Sequence, residues 1–319
     1  MNEGMKNHYW RISVGAILAL VLAGCSPAEV DKSALTTNSG DLEGTIPTIY
    51  VVNYPLYYFT TRIVGEHGQV VLPKESGGDP GFWRPKEAQI LAYQEADLIL
   101  LWGADYAKWV DNVSLPVSRV VDTSEGIRDR FIYEEDAISH SHGNEEKHSH
   151  GATASTTWLD CELMVLQSRL IYETLKNRFP EFGDAFGKAY QDLESDLMAL
   201  DERFKAAVPE GFEEVGYASH PVYQYLARRY GLSLVSFHWE PGETPDENEW
   251  AFFHLRMEDV PAKWMLWEGE PNAETRRRLE MAGVTPIVFP TYGGHPAGGN
   301  WLSLMQENAD RLARALGNR

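Results

Sequence analysis

Four of the ten histidines in this chain fall within eleven residues, His140-Ser-His142-Gly-Asn-Glu-Glu-Lys-His148-Ser-His150. Neutral imidazole is the commonest side-chain metal ligand, and His-x-His repeats separated by Gly, Asn and Ser lack the apolar period of a helix or a buried strand. The tract at 138–151 therefore reads as an accessory metal-collecting loop, with a plain solvated polar loop as its alternative. Other potential donors stand just after short apolar runs: His220, the pair His238 and Glu240, and Glu268 followed by Glu270. In open α/β sheets ligands bind beyond the carboxyl ends of strands, so His220, His238, Glu240 and Glu268 are the candidate cleft ligands for a metal. His254 and His295 are more remote candidates.

Each candidate has a structural alternative. A histidine at a strand end is often a satisfied polar core group. Glu268 could cap a helix beginning near Asn272, because carboxylates favour helix N-termini. The stretch from Glu240 through Pro-Gly to Glu243 could be a plain acidic turn. Trp83, Trp102, Trp239 and Trp267 are expected in the core, and Asp160 is expected to cap the helix that follows it.

The elements that must position these residues are legible as periodicity. Apolar runs at 49–53, 70–72, 98–101 and 120–122 read as strands, and helical spacing recurs after Tyr54 and over 86–96. From 159 to 208 the pattern is helical throughout, interrupted once at Pro180, with Tyr190, Leu193, Leu197, Leu200 and Phe204 stepping by three and four. Strands resume at 215–217, 232–237, 264–267 and 287–289, and an amphipathic helix closes the chain over 301–316. Strands alternating with helices imply parallel sheets covered on both faces. The expected fold is α/β: two lobes, each a parallel sheet flanked by helices, joined by a long connecting helix. The lobes are expected at 45–175 and 208–319, with the connecting helix at 176–207. One long helix would limit hinge closure compared with flexible linkers.

Lys6 and Arg11 followed by an apolar run at 12–22 read as a signal peptide over residues 1–24, too short to span a membrane comfortably. The small residues ahead of Cys25, in Leu22-Ala23-Gly24-Cys25, resemble a bacterial lipobox, which implies lipidation at Cys25. Residues 25–44, rich in Ser, Thr, Asp and Gly, then serve as a flexible tether. Lipidation would leave Cys161 as the other cysteine, so no intramolecular disulfide can form even in an oxidising compartment. The formal charge of −19 repels nucleic acid and anionic lipid and attracts cations.

Longer stretches resemble the zinc/manganese solute-binding proteins of ABC importers. The likeness lies in Asp79-Pro80-Gly-Phe-Trp83-Arg-Pro85, in Ala96-Asp97-Leu98-Ile99 with Trp102-Gly103-Ala104, in Thr157-Trp158-Leu159-Asp160, and in the segment from Ala218-Ser219-His220-Pro221 to Tyr230-Gly231-Leu232. It implies an extracytoplasmic receptor, lipid-anchored on the periplasmic or cell-surface side, that hands a divalent metal cargo, zinc or manganese, to an ABC permease. No organic cofactor, no nucleic acid partner and no enzymatic activity are implied, and a monomer is expected. Family ligands occupy four positions, which in this chain fall on Gly81, Thr156, His220 and Phe289. His220 alone of these is a donor, and a tight zinc site needs three or four N, O or S donors. His238, Glu240 and Glu268 would then have to complete it.

An alternative keeps the fold but gives the cleft a different solute or a metal complex, leaving the histidine tract as the metal binder. A hydrolase finds little support, because the chain contains no His-Glu-x-x-His, Gly-x-Ser-x-Gly or glycine-rich phosphate loop. A surface adhesin is permitted by the resemblance and supported by nothing specific. Imidazole with carboxylate suits Zn²⁺ and also Mn²⁺, Fe²⁺ or Ni²⁺, so residue types alone do not choose the metal.

Overall fold

The centre of the first sheet is a continuous apolar run, Leu98–Leu101, buried almost throughout as an inner parallel strand is. A computed structural model describes residues 46–73, 83–133, 139–140, 148–149, 153–240 and 242–317. Strands β1 (Thr48–Val51), β2 (Gln69–Val71), β3 (Leu98–Leu101) and β4 (Val120–Asp122) form a parallel sheet in the order β2-β1-β3-β4. Helices α1 (Tyr54–Val64) and α2 (Glu87–Glu95) supply crossovers. Asn53 starts α1 by accepting the Leu56 amide at 3.0 Å, with Pro55 in the first turn.

Helix α3 (Cys161–Arg178) begins at Asp160, whose carboxylate accepts the amides of Glu162 and Leu163 at 3.0 and 3.3 Å, the expected cap. Phe179 and Pro180 end it, and a short 3-10 turn leads into the 25-residue α4 (Gly183–Ala207). The anticipated stripe from Tyr190 to Phe204 is the buried face of α4. The helical region read from 159 to 208, with its interruption at Pro180, is two packed helices, because proline removes an amide and clashes with the preceding turn.

The second sheet repeats the plan. Strands β7 (Val215–Ala218), β8 (Ser233–Ser236), β9 (Trp264–Trp267) and β10 (Thr285–Val288) are parallel in the order β10-β9-β7-β8. Helices α5 (Gln224–Tyr230), α6 (Glu247–Asp259) and α7 (Ala273–Met281) connect them. Alternation along β9 divides the interior: Trp264 and Leu266 join the large core shared by both sheets and α4, while Met265 and Trp267 join Tyr217, Phe237, Trp239, Trp250 and Phe253 on the other face.

The terminal helix α8 (Trp301–Gly317) packs on α4, β10 and α1. Its Trp301 ring lies 5.1 Å from Phe59 and 6.0 Å from Tyr58 of α1. Among the described residues Cys161 is the free cysteine, fully buried, and no helix is long and apolar enough to cross a membrane. The proposed signal segment, tether and Cys25 lie outside the described residues.

Candidate functional site

The carboxyl end of β7 continues into Ser219 and His220, and backbone hydrogen bonds align its neighbours with it. The Ser219 amide donates to Leu266 of β9 at 2.8 Å. Phe237 and Trp239, beyond β8, donate to the carbonyls of Ala218 and Ser219 at 2.9 and 2.7 Å. This pairing places the β8 extension, with His238 and Glu240, and the end of β9, with Glu268, on either side of His220.

His220 is 3% exposed at its side chain. Its Nε2 lies 3.1 Å from Glu240 Oε1, and its Nδ1 lies 3.5 Å from Glu268 Oε2. The His238 ring is 6.2 Å from the His220 ring and nearly perpendicular to it. Burial pushes the His220 imidazole toward its neutral form, but the Glu240 and Glu268 carboxylates outweigh burial and raise its pKa from 6.5 to about 10. The imidazolium is the state that this pair of acids favours, and a metal ion bound at either nitrogen takes the place of a proton.

The four candidates drawn from the sequence therefore lie together, though not as a closed chelate. Glu240 and Glu268 meet opposite nitrogens of one ring, and the lone pairs of those nitrogens diverge. Among the described residues no group of three or more His, Cys, Asp or Glu side chains is arranged to hold a metal ion. A single ion at Nε2 could share His220 with Glu240, or one at Nδ1 could share it with Glu268.

The competing structural roles resolve individually. Asn272, rather than Glu268, caps α7, by accepting the Thr275 amide at 2.9 Å. The acidic turn is real as backbone, since the Glu243 amide donates to the Glu240 carbonyl at 3.3 Å, and Glu240 still reaches His220. Trp102, Trp239 and Trp267 are core, and Trp83 packs partly buried against Trp109. His254 stands exposed on α6 beside Trp250 and Phe253, and His295 packs against Tyr54 and Tyr57 of α1.

Of the histidine tract, the backbones of His140 and His148 stand opposite each other in a short antiparallel pair, β5 (Ser139–His140) with β6 (His148–Ser149). His142 and His150 lie outside the described residues, as does Gly81. Flanking the tract, Tyr133 and Thr153 form a β-bridge.

The profile of the family described as zinc-uptake complex component A, periplasmic (ZnuA) matches residues 49–315. The chain belongs to this family. Among curated relatives, a Streptococcus pyogenes protein named zinc-binding protein AdcA is 25% identical over 278 residues, covering 81% of this chain and 54% of its own length. The chain thus spans about half the length of these streptococcal relatives. The high-affinity zinc uptake system protein ZnuA of Bacillus subtilis is 27% identical over 319 residues, covering 93% of this chain and 94% of its own. Among solved structures, the metal-dependent lipoprotein YcdH of Bacillus subtilis superposes with a TM-score of 0.72 at 22% identity, over 85% of this chain and 99% of its own. The Zn(II)-bound ZnuA-like domain of Streptococcus pneumoniae AdcA gives 0.69 at 19%, over 84% and 98%. These likenesses establish the ZnuA-type fold.

Two positions matched to family ligands are occupied by residues with other work to do. The Thr156 hydroxyl donates to the Val222 carbonyl at 2.6 Å, tying the segment after the histidine tract to the loop that carries His220. Phe289 is fully buried, and its carbonyl accepts the Tyr223 hydroxyl at 2.7 Å. Sequence reasoning missed Thr291, whose hydroxyl donates to Glu268 Oε1 at 3.0 Å. Its position three residues past β10 was the available signal.

Proposed function

We propose that this ZnuA-family chain is an extracytoplasmic solute-binding lipoprotein, anchored through Cys25, that carries a divalent transition metal to the permease of an ABC importer. Zinc is the favoured cargo, because the curated relatives are named for zinc binding and zinc uptake; manganese suits the same donor types. The protein acts as a binding component rather than as an enzyme, and as a monomer. Its cargo site is the cleft set of His220, His238, Glu240 and Glu268, and the tract with His140, His142, His148 and His150 collects metal beside it. The domain boundaries that go with this reading are a first lobe at 45–175, a connecting segment at 176–207 and a second lobe at 208–319.

The observation that carries this reading is the placing of the buried His220 between Glu240 and Glu268 at the strand ends of the second sheet. Two carboxylates neutralise a divalent charge, and one must swing toward the nitrogen that the other faces for three donors to meet the ion. The divergence of the two contacts favours a second reading, in which the cleft takes another solute or a metal complex and the tract alone binds metal.

Calorimetric zinc titration separates the two. The intact chain and a variant lacking residues 138–151 should both bind one zinc ion in the cleft, and His220→Ala should lose it. If removing the tract abolishes all binding and His220→Ala changes nothing, the cleft reading fails and the second one stands.

A further inference from the structure

The loop following β10 is held by more partners than a surface connection needs. The Phe289 carbonyl accepts the Tyr223 hydroxyl at 2.7 Å, and the Pro290 carbonyl accepts Nδ2 of Asn308 on α8 at 2.8 Å. The Thr291 carbonyl accepts Nε1 of Trp158 at 2.7 Å, and the Gly293 carbonyl accepts the Tyr54 amide at 2.8 Å. Trp158 and Tyr54 belong to the first lobe, at the starts of α3 and α1, so the loop bridges from the second sheet to the first lobe. Between these anchors Tyr292 adopts φ +56°, a left-handed conformation that a bulky side chain avoids unless its surroundings impose it. Gly293 sits so close to Trp158 and the Tyr106 hydroxyl that an added Cβ would lie 3.2 Å from each.

From the middle of this loop the Thr291 hydroxyl donates to Glu268 Oε1 at 3.0 Å, while the other oxygen, Oε2, faces His220 Nδ1. A carboxylate held at one oxygen by a fixed donor has its second oxygen aimed. The residue at the position where the resemblance expects a late carboxylate is Phe289, buried in the core, so this loop brings no acid of its own to the cleft.

We propose that Thr291 is a positioning residue for the cleft site: it orients Glu268 toward His220, and because its own loop is pinned to Trp158 and Tyr54, it sets that orientation by the placement of the first lobe. The loop thus contributes a hydroxyl rather than an acid, and the acid it holds stands just after β9. This inference rests on the reading of Glu268 as a metal-binding residue. Hydrogen-bond partners of metal-binding side chains are worth 10–100-fold in affinity when removed.

The test is zinc affinity by chelator competition, with apo-protein thermal stability measured in parallel, on the full chain and on Thr291→Val, Thr291→Ser, Glu268→Gln and the Thr291→Val/Glu268→Gln pair. Thr291→Val should weaken zinc binding about 10–100-fold with the apo melting temperature little changed, and Thr291→Ser should restore it. The double variant should bind no more weakly than Glu268→Gln alone, since both changes disable one carboxylate. If Glu268→Gln weakens binding and Thr291→Val does not, or if the two losses simply add, the positioning role is overturned and the cargo site survives. If Glu268→Gln leaves zinc affinity unchanged, the cargo-site reading of Glu268 fails and this inference falls with it.

Discussion

Arg229 grips Asp201 with two parallel hydrogen bonds, Nε to Oδ1 at 3.0 Å and Nη2 to Oδ2 at 2.7 Å, joining α5 of the second lobe to the long helix α4. The same guanidinium reaches Glu162 at the start of α3, which is also bound by Arg130 at 2.6 Å. Neighbouring Arg228 donates to the Arg130 carbonyl at 2.6 Å and to Asp160 at 3.4 Å. Helices α3, α4 and α5 are therefore held by one ionic network.

Replacing Arg229 with glutamine should destabilise the chain by roughly 1–2 kcal/mol, because the largely buried Asp201 would lose its two-pronged partner and keep Lys205 and the Tyr230 hydroxyl. Denaturant unfolding of the apo protein measures it. A loss within a few tenths of a kcal/mol would show that solvent screens the pair as it does at ordinary surfaces.

The network also sets a response to acid. Burial pushes the Asp201 carboxyl up, but hydrogen bonds from Arg229, Lys205 and Tyr230 outweigh it and hold its pKa below the usual 3.8; Arg130 likewise lowers Glu162. Groups lowered by folding stabilise above their unfolded values and lose that contribution as pH falls through their folded ones. Asp160 runs the other way, raised chiefly by burial, so its ionisation costs stability that acid relieves. The expected outcome is a net fall in melting temperature between about pH 5 and about pH 3, flatter in Asp201→Asn. An equally steep fall in that variant would assign acid sensitivity to other groups.

Gly103, just past β3, should not tolerate a side chain. It has φ +78°, and an added Cβ would lie 1.8 Å from Ser124 Oγ and 2.3 Å from Asp122 Oδ1. Gly103→Ala is expected to cost roughly 3 kcal/mol from backbone strain and overlap together, and the added change Ser124→Gly to recover part of it. Thermal denaturation of the single and double variants decides; no recovery would place the cost in the backbone and in the overlap with Asp122.

Trp301 is fully buried against Phe59 of the first lobe. Trp301→Ala should cost about 3–5 kcal/mol and, in hydrogen exchange, should loosen α1 as well as α8. Protection lost from α8 alone would contradict the shared core.

The architecture was legible where inner strands are buried on both faces and so read as unbroken apolar runs, as at Leu98–Leu101 and Trp264–Trp267. The α4 stripe and the Asp160 cap were equally plain, since both depend on local spacing. His220, Glu240 and Glu268 could be grouped by the strand-end rule, but sequence could not show that the two acids would take opposite nitrogens of one ring. Thr291 escaped because its partner is 23 residues away in sequence and follows a different strand. Gln167 escaped for a related reason. One buried amide on an amphipathic helix gives no periodic signal, yet Gln167 is fully buried, donating to the Trp102 carbonyl and accepting from Thr157.

The packing of α8 beneath α1 bears on how the molecule is made. A chain emerges from its amino end, so the first sheet, α1 and α3 are all synthesised before the residue that closes their core. Until Trp301 arrives, Phe59 and Tyr58 face an unfilled space, and the earlier lobe waits on the last helix to become whole. Trp301 is thus the keystone of a core whose partners in α1 are made well before it.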